Sequence, residues 1–314
     1  DKIVSSVFFG GGTPTTLPPA MFLTVLDQVR SSFFLAPGCE ITVEANPGTV
    51  DGAGLAQLLE AGVNRLSIGV QSFNDRLLGV LGRVHSAGQA VEAVRLARKA
   101  GFDNLNLDLI CGIPGQSLHD WRETLNEAVE MAPEHIAAYG LQLEEGTPLA
   151  QAASRGEISA CPEETEEAMY HEAIEILTAH GYQHYEISNF AKPGRQCAHN
   201  LVYWLNRPYL GLGPAAYSCL SGRRFHCPPD LAAFLAGPAA YEPDGCVDAA
   251  DYIMLQTRLA SGLSLAALQS RCGVVLSDRQ RALLAACEKN GLCRLEDGRL
   301  CLTPRDMLVQ NSLL

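Results

Sequence analysis

The chain has 314 residues, 47% hydrophobic and 18% charged, which is enough apolar material for one large α/β domain and a smaller one. Its 23 Lys and Arg stand against 35 Asp and Glu, a net charge of −12 that argues against the basic stripe of a nucleic-acid surface. Small anionic ligands stay open, because a few local cations can hold them, and no apolar run is long enough to predict a transmembrane helix.

The opening segment DKIVSSVFFGGG reads as a strand, Ile3–Phe9, running into a glycine turn. It does not read as a secretory leader and lacks an initiator Met, so a fragment or a processed piece is expected, and a cytoplasmic setting. Helical pattern follows over about Pro19–Phe33, then a strand at Ile41–Ala45 and a helix around Gly54–Ala61. Arg65–Val70 predicts a third strand, Ser86–Ala100 a helix, Leu105–Ile110 a fourth strand, Leu118–Met131 a helix and Ile136–Leu143 a fifth strand. Strand-then-helix repetition at this spacing predicts βαβ units and a parallel sheet. The strands end on polar residues: Glu44 and Asn46, Gln71, Asp108, and Gln142. A parallel α/β sheet binds its ligands at that edge, so this ring is the first candidate site.

The second half changes character. Glu163–His180 predicts a helix, Tyr182–Phe190 an extended segment, and His199–Ser218 is rich in aromatics and glycine. A Pro-, Gly- and Ala-rich linker is expected over about Cys227–Gly245. Beyond Ala249, short helices lead to a hairpin at Leu292–Leu302 turning on Glu296-Asp297-Gly298, which suggests a winged-helix-like module without the basic patch that DNA binding needs. The eleven cysteines are scattered and form no CxxC pair, so neither a zinc ribbon nor a disulfide framework is indicated, and small buried thiols are expected.

Gly10-Gly11-Gly12-Thr13-Pro14 follows the first strand directly. It lacks the GK[ST] ending of a phosphate loop and the helix-opening G-x-G-x-x-G of a dinucleotide fold, and alone it is as compatible with a tight turn as with a ligand loop. It is followed by Glu44-Ala45-Asn46-Pro47, Gly69-Val70-Gln71-Ser72-Phe73, Arg83 and Asn106-Leu107-Asp108-Leu109-Ile110. In that order these motifs closely resemble the radical-SAM, oxygen-independent coproporphyrinogen III oxidase family over about residues 4–150.

The resemblance implies a partial parallel (β/α)6 radical-SAM barrel lacking its first strand, with a small α+β winged-helix-like C-terminal domain. The expected segments are 1-150 for the barrel, 151-226 for an extension and 227-314 for the C-terminal domain. It also implies a site for S-adenosylmethionine (SAM): Gly11, Gly12 and Thr13 on the methionine part, with Glu44, Gln71, Arg83 and Asp108 as further contacts. The chemistry is sensible in its own right. SAM presents an ammonium, a carboxylate, a sulfonium and a ribose diol, which call for acceptors, one cation and a close backbone. The family's CxxxCxxC, which would hold a [4Fe–4S] cluster, has no counterpart among the cysteines present, so the cluster is expected in the intact parent alone and no catalytic residue is assigned.

Further on, Cys197-Ala-His199-Asn200-Leu201-Val202-Tyr203-Trp204, preceded by Tyr185-Glu186-Ile187-Ser188-Asn189-Phe190-Ala191, is similar to the H-N-x-x-Y-W signature of HemW-type haem chaperones. That resemblance implies haem binding, with His199 as iron ligand and Tyr203 and Trp204 offering flat faces to the porphyrin. The bland reading of His199 is a hydrogen-bonded histidine that organises a loop, and Cys197 is a thiolate alternative. Tyr217 stands where relatives carry a histidine, and the string Leu302-Thr303-Pro304 to Asn311 resembles the family's C-terminal end. The other histidines are expected to be solvated or capping residues. A HemW-type protein implies haem, a haem-accepting apo-protein, peripheral membrane contact through that acceptor and a homodimer as partners, with no nucleic acid. The rival is the oxidase itself, which removes two propionate carboxyls in porphyrin biosynthesis, and a third reading gives the fragment no independent function because its barrel has an open edge.

Overall fold

A computed structural model describes residues 3–238, 240–304 and 307. They form two compact units, Asp1–His199 and Asn200–Leu314.

The first unit runs β1 (Ile3–Phe9), α1 (Pro19–Ser32), β2 (Phe34–Ala45), α2 (Gly52–Glu60), β3 (Arg65–Gln71), α3 (Asp75–Val80), α4 (Ala87–Ala100), β4 (Leu105–Cys111), α5 (Leu118–Glu130), β5 (His135–Gly140), α6 (Pro148–Ser154), α7 (Glu163–Ala179), β6 (Gln183–Glu186) and β7 (Asn189–Ala191). The sheet order is β1-β2-β3-β4-β5-β7-β6, with β1 to β5 parallel, curled into the expected half-barrel. The extended segment 182–190 is an antiparallel hairpin that adds to β5 through β7.

Side chains alternate across the strands, and the alternation sorts the chemistry. Leu66, Ile68 and Val70 of β3 and Leu105, Leu107 and Leu109 of β4 are buried in one core with the helices. The intervening residues, Arg65, Ser67 and Gly69 on β3 and Asn106 and Asp108 on β4, line the opposite, inner face. Parallel strands buried on both sides are usually apolar throughout, so a polar inner face marks a ligand-facing surface. The helices pack outside, where Trp121 of α5 is fully buried and donates Nε1–H to the Met169 carbonyl at 2.8 Å. Ser86 and Ser117 begin α4 and α5 with reciprocal capping boxes, and Gly101 in the left-handed region ends α4.

The boundaries differ from expectation where tertiary context outweighs local pattern. β2 begins at Phe34, before the expected Ile41, because the Ala-Pro-Gly segment is absorbed by a register slip against β1 between Val4 and Ser6. β5 ends at Gly140, so Gln142 is exposed outside the sheet, and the polar side chain that β5 supplies is Tyr139.

Helix α8 (Ala198–Trp204) runs across the boundary between the units. The second unit holds β8 (Tyr217–Leu220), β9 (Arg223–His226), α9 (Leu231–Ala236), β10 (Glu242–Cys246), α10 (Ala249–Thr257), β11 (Leu263–Ser264), α11 (Leu265–Cys272), α12 (Asp278–Lys289), β12 (Cys293–Glu296) and β13 (Arg299–Leu302). The stretch expected as a linker contains α9 and an edge strand, β10, paired with β9. From α10 onward the order is helix, strand, two helices and a hairpin, with sheet order β11-β13-β12, a winged-helix arrangement. Its turn has Asp297 and Gly298 both at positive φ, which is what a two-residue hairpin turn requires. Asn311 lies outside the described residues. No described helix is long and apolar enough to cross a membrane.

Candidate functional site

The C-terminal ends of β1 to β5 bring most of the ring together. Gly11, at φ +89°, donates its backbone N–H to Glu44 Oε2 at 3.2 Å, and Asn46 Nδ2 donates to Thr13 Oγ1 at 2.7 Å. No atom lies within 4 Å of where a Cβ on Gly11 or Gly12 would sit, so the glycine loop offers open backbone to a ligand. At Gly69 the opposite holds: a Cβ there would come within 2.9 Å of both Asn46 Oδ1 and Gln71 Nε2, so the missing side chain lets those two amides converge. Gln71 sits at φ +67°, beside a bulge in the pairing of β3 with β4, and its Oε1 accepts from the Tyr139 hydroxyl at 3.2 Å. A non-glycine residue held there is strained, a condition that clusters at functional sites.

Asp108 is held by Ser67 Oγ at 3.2 Å and Asn106 Nδ2 at 2.8 Å. Burial raises the Asp108 carboxyl, opposed by hydrogen bonds from Asn106 and Ser67 and by the charges of Arg65 and Arg83. Glu44 is also raised, first by burial and then by the Asp108 charge, against the Gly11 N–H. Arg83 is exposed on the loop after α3, close enough to act electrostatically on Asp108 and Tyr139. Two carboxyls strained toward neutrality, one cation and a bare glycine backbone fit the ammonium, diol and carboxylate of SAM. The sign of the strain makes a prediction. Groups with raised folded pKa values favour folding at low pH and lose that contribution as pH rises through the folded value. Glu44→Gln should therefore raise Tm by about 2–4 °C at pH 8 and by less at pH 4, as read by calorimetry.

Below this edge the inner face carries a second polar layer that was not legible in the sequence. The Cys197 N–H donates to the Tyr185 hydroxyl at 3.4 Å, and that hydroxyl bonds His135 Nε2 at 2.8 Å. His135 Nδ1 bonds Asn106 Oδ1 at 2.5 Å, and the Asn106 amide continues to Asp108. With the Asn106 Nδ2 fixed by the Asp108 carboxylate, His135 is the neutral Nδ1–H tautomer and every donor in the chain points toward Asp108. Burial, with Arg65 second, holds the His135 imidazole well below its usual range. Arg65 is itself 2% exposed, and its Nε has no hydrogen-bond partner among the described residues.

The histidine expectation therefore needs correction. His135 is a strand residue, fully buried. His85 is buried with Nε2 on the Val70 carbonyl at 3.1 Å, His184 stacks on Phe190, and His226 stacks on Tyr217. His119 and His171 do lie on helix surfaces, in i,i+4 pairs with Glu123 and Glu167, and His180 caps α7.

His199 stands two residues on from Cys197, where the relay begins. Its Nδ1 is 3.1 Å from Ser6 Oγ and its ring stacks on Phe8 at 4.8 Å. Glu40, paired with Ser6 across β1 and β2, accepts from Cys197 Sγ at 3.5 Å, the Ala198 N–H at 2.9 Å and the His199 N–H at 3.0 Å. Burial lowers the His199 imidazole, with Glu40 opposing, so the ring is neutral at pH 7, the form that binds iron. In the second unit Tyr203 meets Tyr209 edge-on at 4.7 Å, Arg258 lies over the Trp204 ring at 5.5 Å, and the buried Trp204 Nε1 has no hydrogen-bond partner among the described residues.

The cluster is a different matter. Among the described residues no group of three His, Cys, Asp or Glu is placed to hold a metal ion. Cys39 and Cys111 are buried strand residues, and burial pushes the Cys111 thiol up to about 12, away from the thiolate an iron–sulfur cluster needs.

The glycine loop, the carboxylate ring and the half-barrel together define a protein of the radical SAM class. The radical SAM superfamily matches residues 1–128, and the HemN C-terminal domain matches residues 248–309. The fold matches the radical-SAM coproporphyrinogen III oxidase HemN of Escherichia coli with a TM-score of 0.81, at 24% identity over 99% of this chain and 77% of that one. The haem chaperone HemW of Mycobacterium tuberculosis (strain CDC 1551 / Oshkosh) is 38% identical over 99% of this chain and 80% of its own length. HemW of Synechocystis is 37% identical over 85% and 67%, and HemW of Escherichia coli is 42% identical over 68% and 56%. The chain belongs to the HemW family.

Proposed function

We propose that this protein is a haem-handling chaperone that takes up haem with His199 as iron ligand and passes it to an apo-protein. The observation that supports the reading is the seat of His199: an imidazole that burial keeps toward its neutral form, with Nδ1 engaged by Ser6 and the ring stacked on Phe8. A second group that orients the ring through its other nitrogen is the usual companion of a ligating histidine. Tyr203 and Trp204 follow on the same helix and supply the flat apolar faces that a porphyrin stacks on.

SAM is the second ligand in this reading. Gly11, Gly12 and Thr13 would take its methionine part, Glu44 and Asp108 its hydroxyls and ammonium, Arg83 its carboxylate, and Gln71 and Tyr139 the remaining polar edge. Bound there, it supplies a sulfonium cation that offsets the Glu44 and Asp108 charges. Haem, an apo-acceptor, peripheral membrane contact through that acceptor, a second copy of the chain and a cytoplasmic setting complete the proposal. The rival oxidase reading shares the barrel but not the H-N-x-x-Y-W helix, and the three relatives described above, at 37–42% identity, are HemW proteins.

The test is transfer. Chain loaded with one equivalent of haem is mixed with apomyoglobin, and the growth of the acceptor's Soret band is compared with release into buffer containing albumin. The expected result is loading of apomyoglobin from the chain with matching loss of the chain's own band. Haem that stays on the chain through a large excess of acceptor would overturn the chaperone reading.

A further inference from the structure

One cavity in the second unit belongs to neither site above. It has a volume of about 230 Å³ and is walled by Asn206 and Arg207 from the loop after α8, Ser221 and Gly222 from the β8–β9 turn, Tyr252 of α10 and Arg271 of α11. We propose that it is a carboxylate-binding pocket, and that the carboxylate is a propionate arm of the porphyrin. The second half of that statement rests on the haem reading.

Charge is the first argument. In a chain of net charge −12, two guanidiniums line one cavity, and among the described residues neither Arg207 nor Arg271 makes a side-chain hydrogen bond or an ion pair. Arg271 is steadied instead over the Tyr252 ring at 5.7 Å. The one acid in the wall, Asp248, is turned to the start of α10, where its Oδ1 accepts the Asp251 N–H at 2.9 Å. Guanidinium forks match a carboxylate in geometry as well as charge.

Backbone shape is the second argument. Asn206 at φ +48° and Ser221 at φ +54° are two of the few non-glycine residues in the left-handed region, and both face this cavity. The Asn206 turn is closed by the Arg207 N–H on the Val202 carbonyl at 2.8 Å. Such conformations persist where the surroundings over-determine them.

Size is the third. About 230 Å³ is too small for a tetrapyrrole and ample for a short carboxylate arm. Arg207 lies three residues beyond Trp204, so one wall of the pocket follows the H-N-x-x-Y-W helix directly along the chain. A free short-chain carboxylate has the same chemistry, and the experiment separates the two sources.

Haem, haem dimethyl ester and glutarate are titrated into the wild type and into Arg207→Gln/Arg271→Gln, with the Soret band followed for the haems and calorimetry for glutarate. The expected result is a preference of about tenfold for haem over its ester in the wild type, absent in the double variant, with the Soret maximum unchanged. Equal affinity for acid and ester in the wild type, or a preference that survives in the double variant, overturns the propionate assignment and leaves the haem reading standing. Glutarate bound by the wild type alone, with no haem bound by either protein, keeps the pocket as a small-carboxylate site and sinks the haem reading. Binding of none of the three removes both.

Discussion

His135→Leu is expected to lower stability by about 3 kcal/mol at pH 7.5 and to lose much of that deficit at pH 5. The first part follows from what the leucine leaves behind. Asn106 Oδ1 and the Tyr185 hydroxyl both bond this imidazole inside the half-barrel, and a buried polar atom left without a partner destabilises by about 1–3 kcal/mol. The second follows from linkage. The folded imidazole is held neutral well below its usual range, whereas the unfolded one protonates near its ordinary value. The unfolded wild type therefore binds one more proton below about pH 6.5, and stability falls by roughly 1.4 kcal/mol per pH unit in that window. The variant lacks this proton, so the two urea midpoints converge as pH falls. His199 titrates in the same sense but is common to both proteins and cancels. A gap between wild type and variant that stays constant from pH 7.5 to 5 would show that burial does not hold His135 neutral.

Glu40→Ala should unseat the His199 segment without touching its ring. One carboxylate accepts from Cys197 Sγ and from the Ala198 and His199 N–H groups, so its removal orphans three donors and is expected to destabilise by about 2–3 kcal/mol. The functional readout matters more. In the proposed haem site, Glu40 is a positioning residue, and its loss should weaken haem binding by about tenfold and move the Soret maximum. Glu40→Gln keeps one acceptor oxygen and should restore the band position and part of the affinity. A Glu40→Ala protein that binds haem with the wild-type spectrum and affinity would place the iron away from His199.

How much of this was readable in the sequence depends on the range of the interaction. Strands β1 to β5 announced themselves through apolar runs bounded by glycine and polar punctuation, and the ligand edge through Glu44, Gln71 and Asp108, because strand ends and glycine turns are local signals. The glycine loop and the H-N-x-x-Y-W helix were likewise contiguous. The six-residue α3 and seven-residue α8 were too short to display a helical period. Arg65, Asn106, His135 and Tyr185 were missed for a different reason. Each lies on a separate strand, and a polar residue at a strand's beginning carries no mark of which neighbours the register will set beside it. His135 looks like any histidine before an apolar run until β4 and β7 stand on either side of it. Tyr139 was hidden in a similar way, because the strand's expected end was set at Leu143 and drew attention to Gln142 instead. The β10 edge strand has a composition, Glu-Pro-Asp-Gly-Cys, that favours turns and pairs only because β9 offers a partner.

The measurement that bears most directly on the haem-chaperone reading is a haem titration of this chain by visible absorption beside His199→Ala. Saturable binding with a shifted Soret band is expected for the wild type, with loss of that band in the variant, whose fold is checked by circular dichroism. A folded His199→Ala protein that binds haem with the wild-type band would contradict that reading.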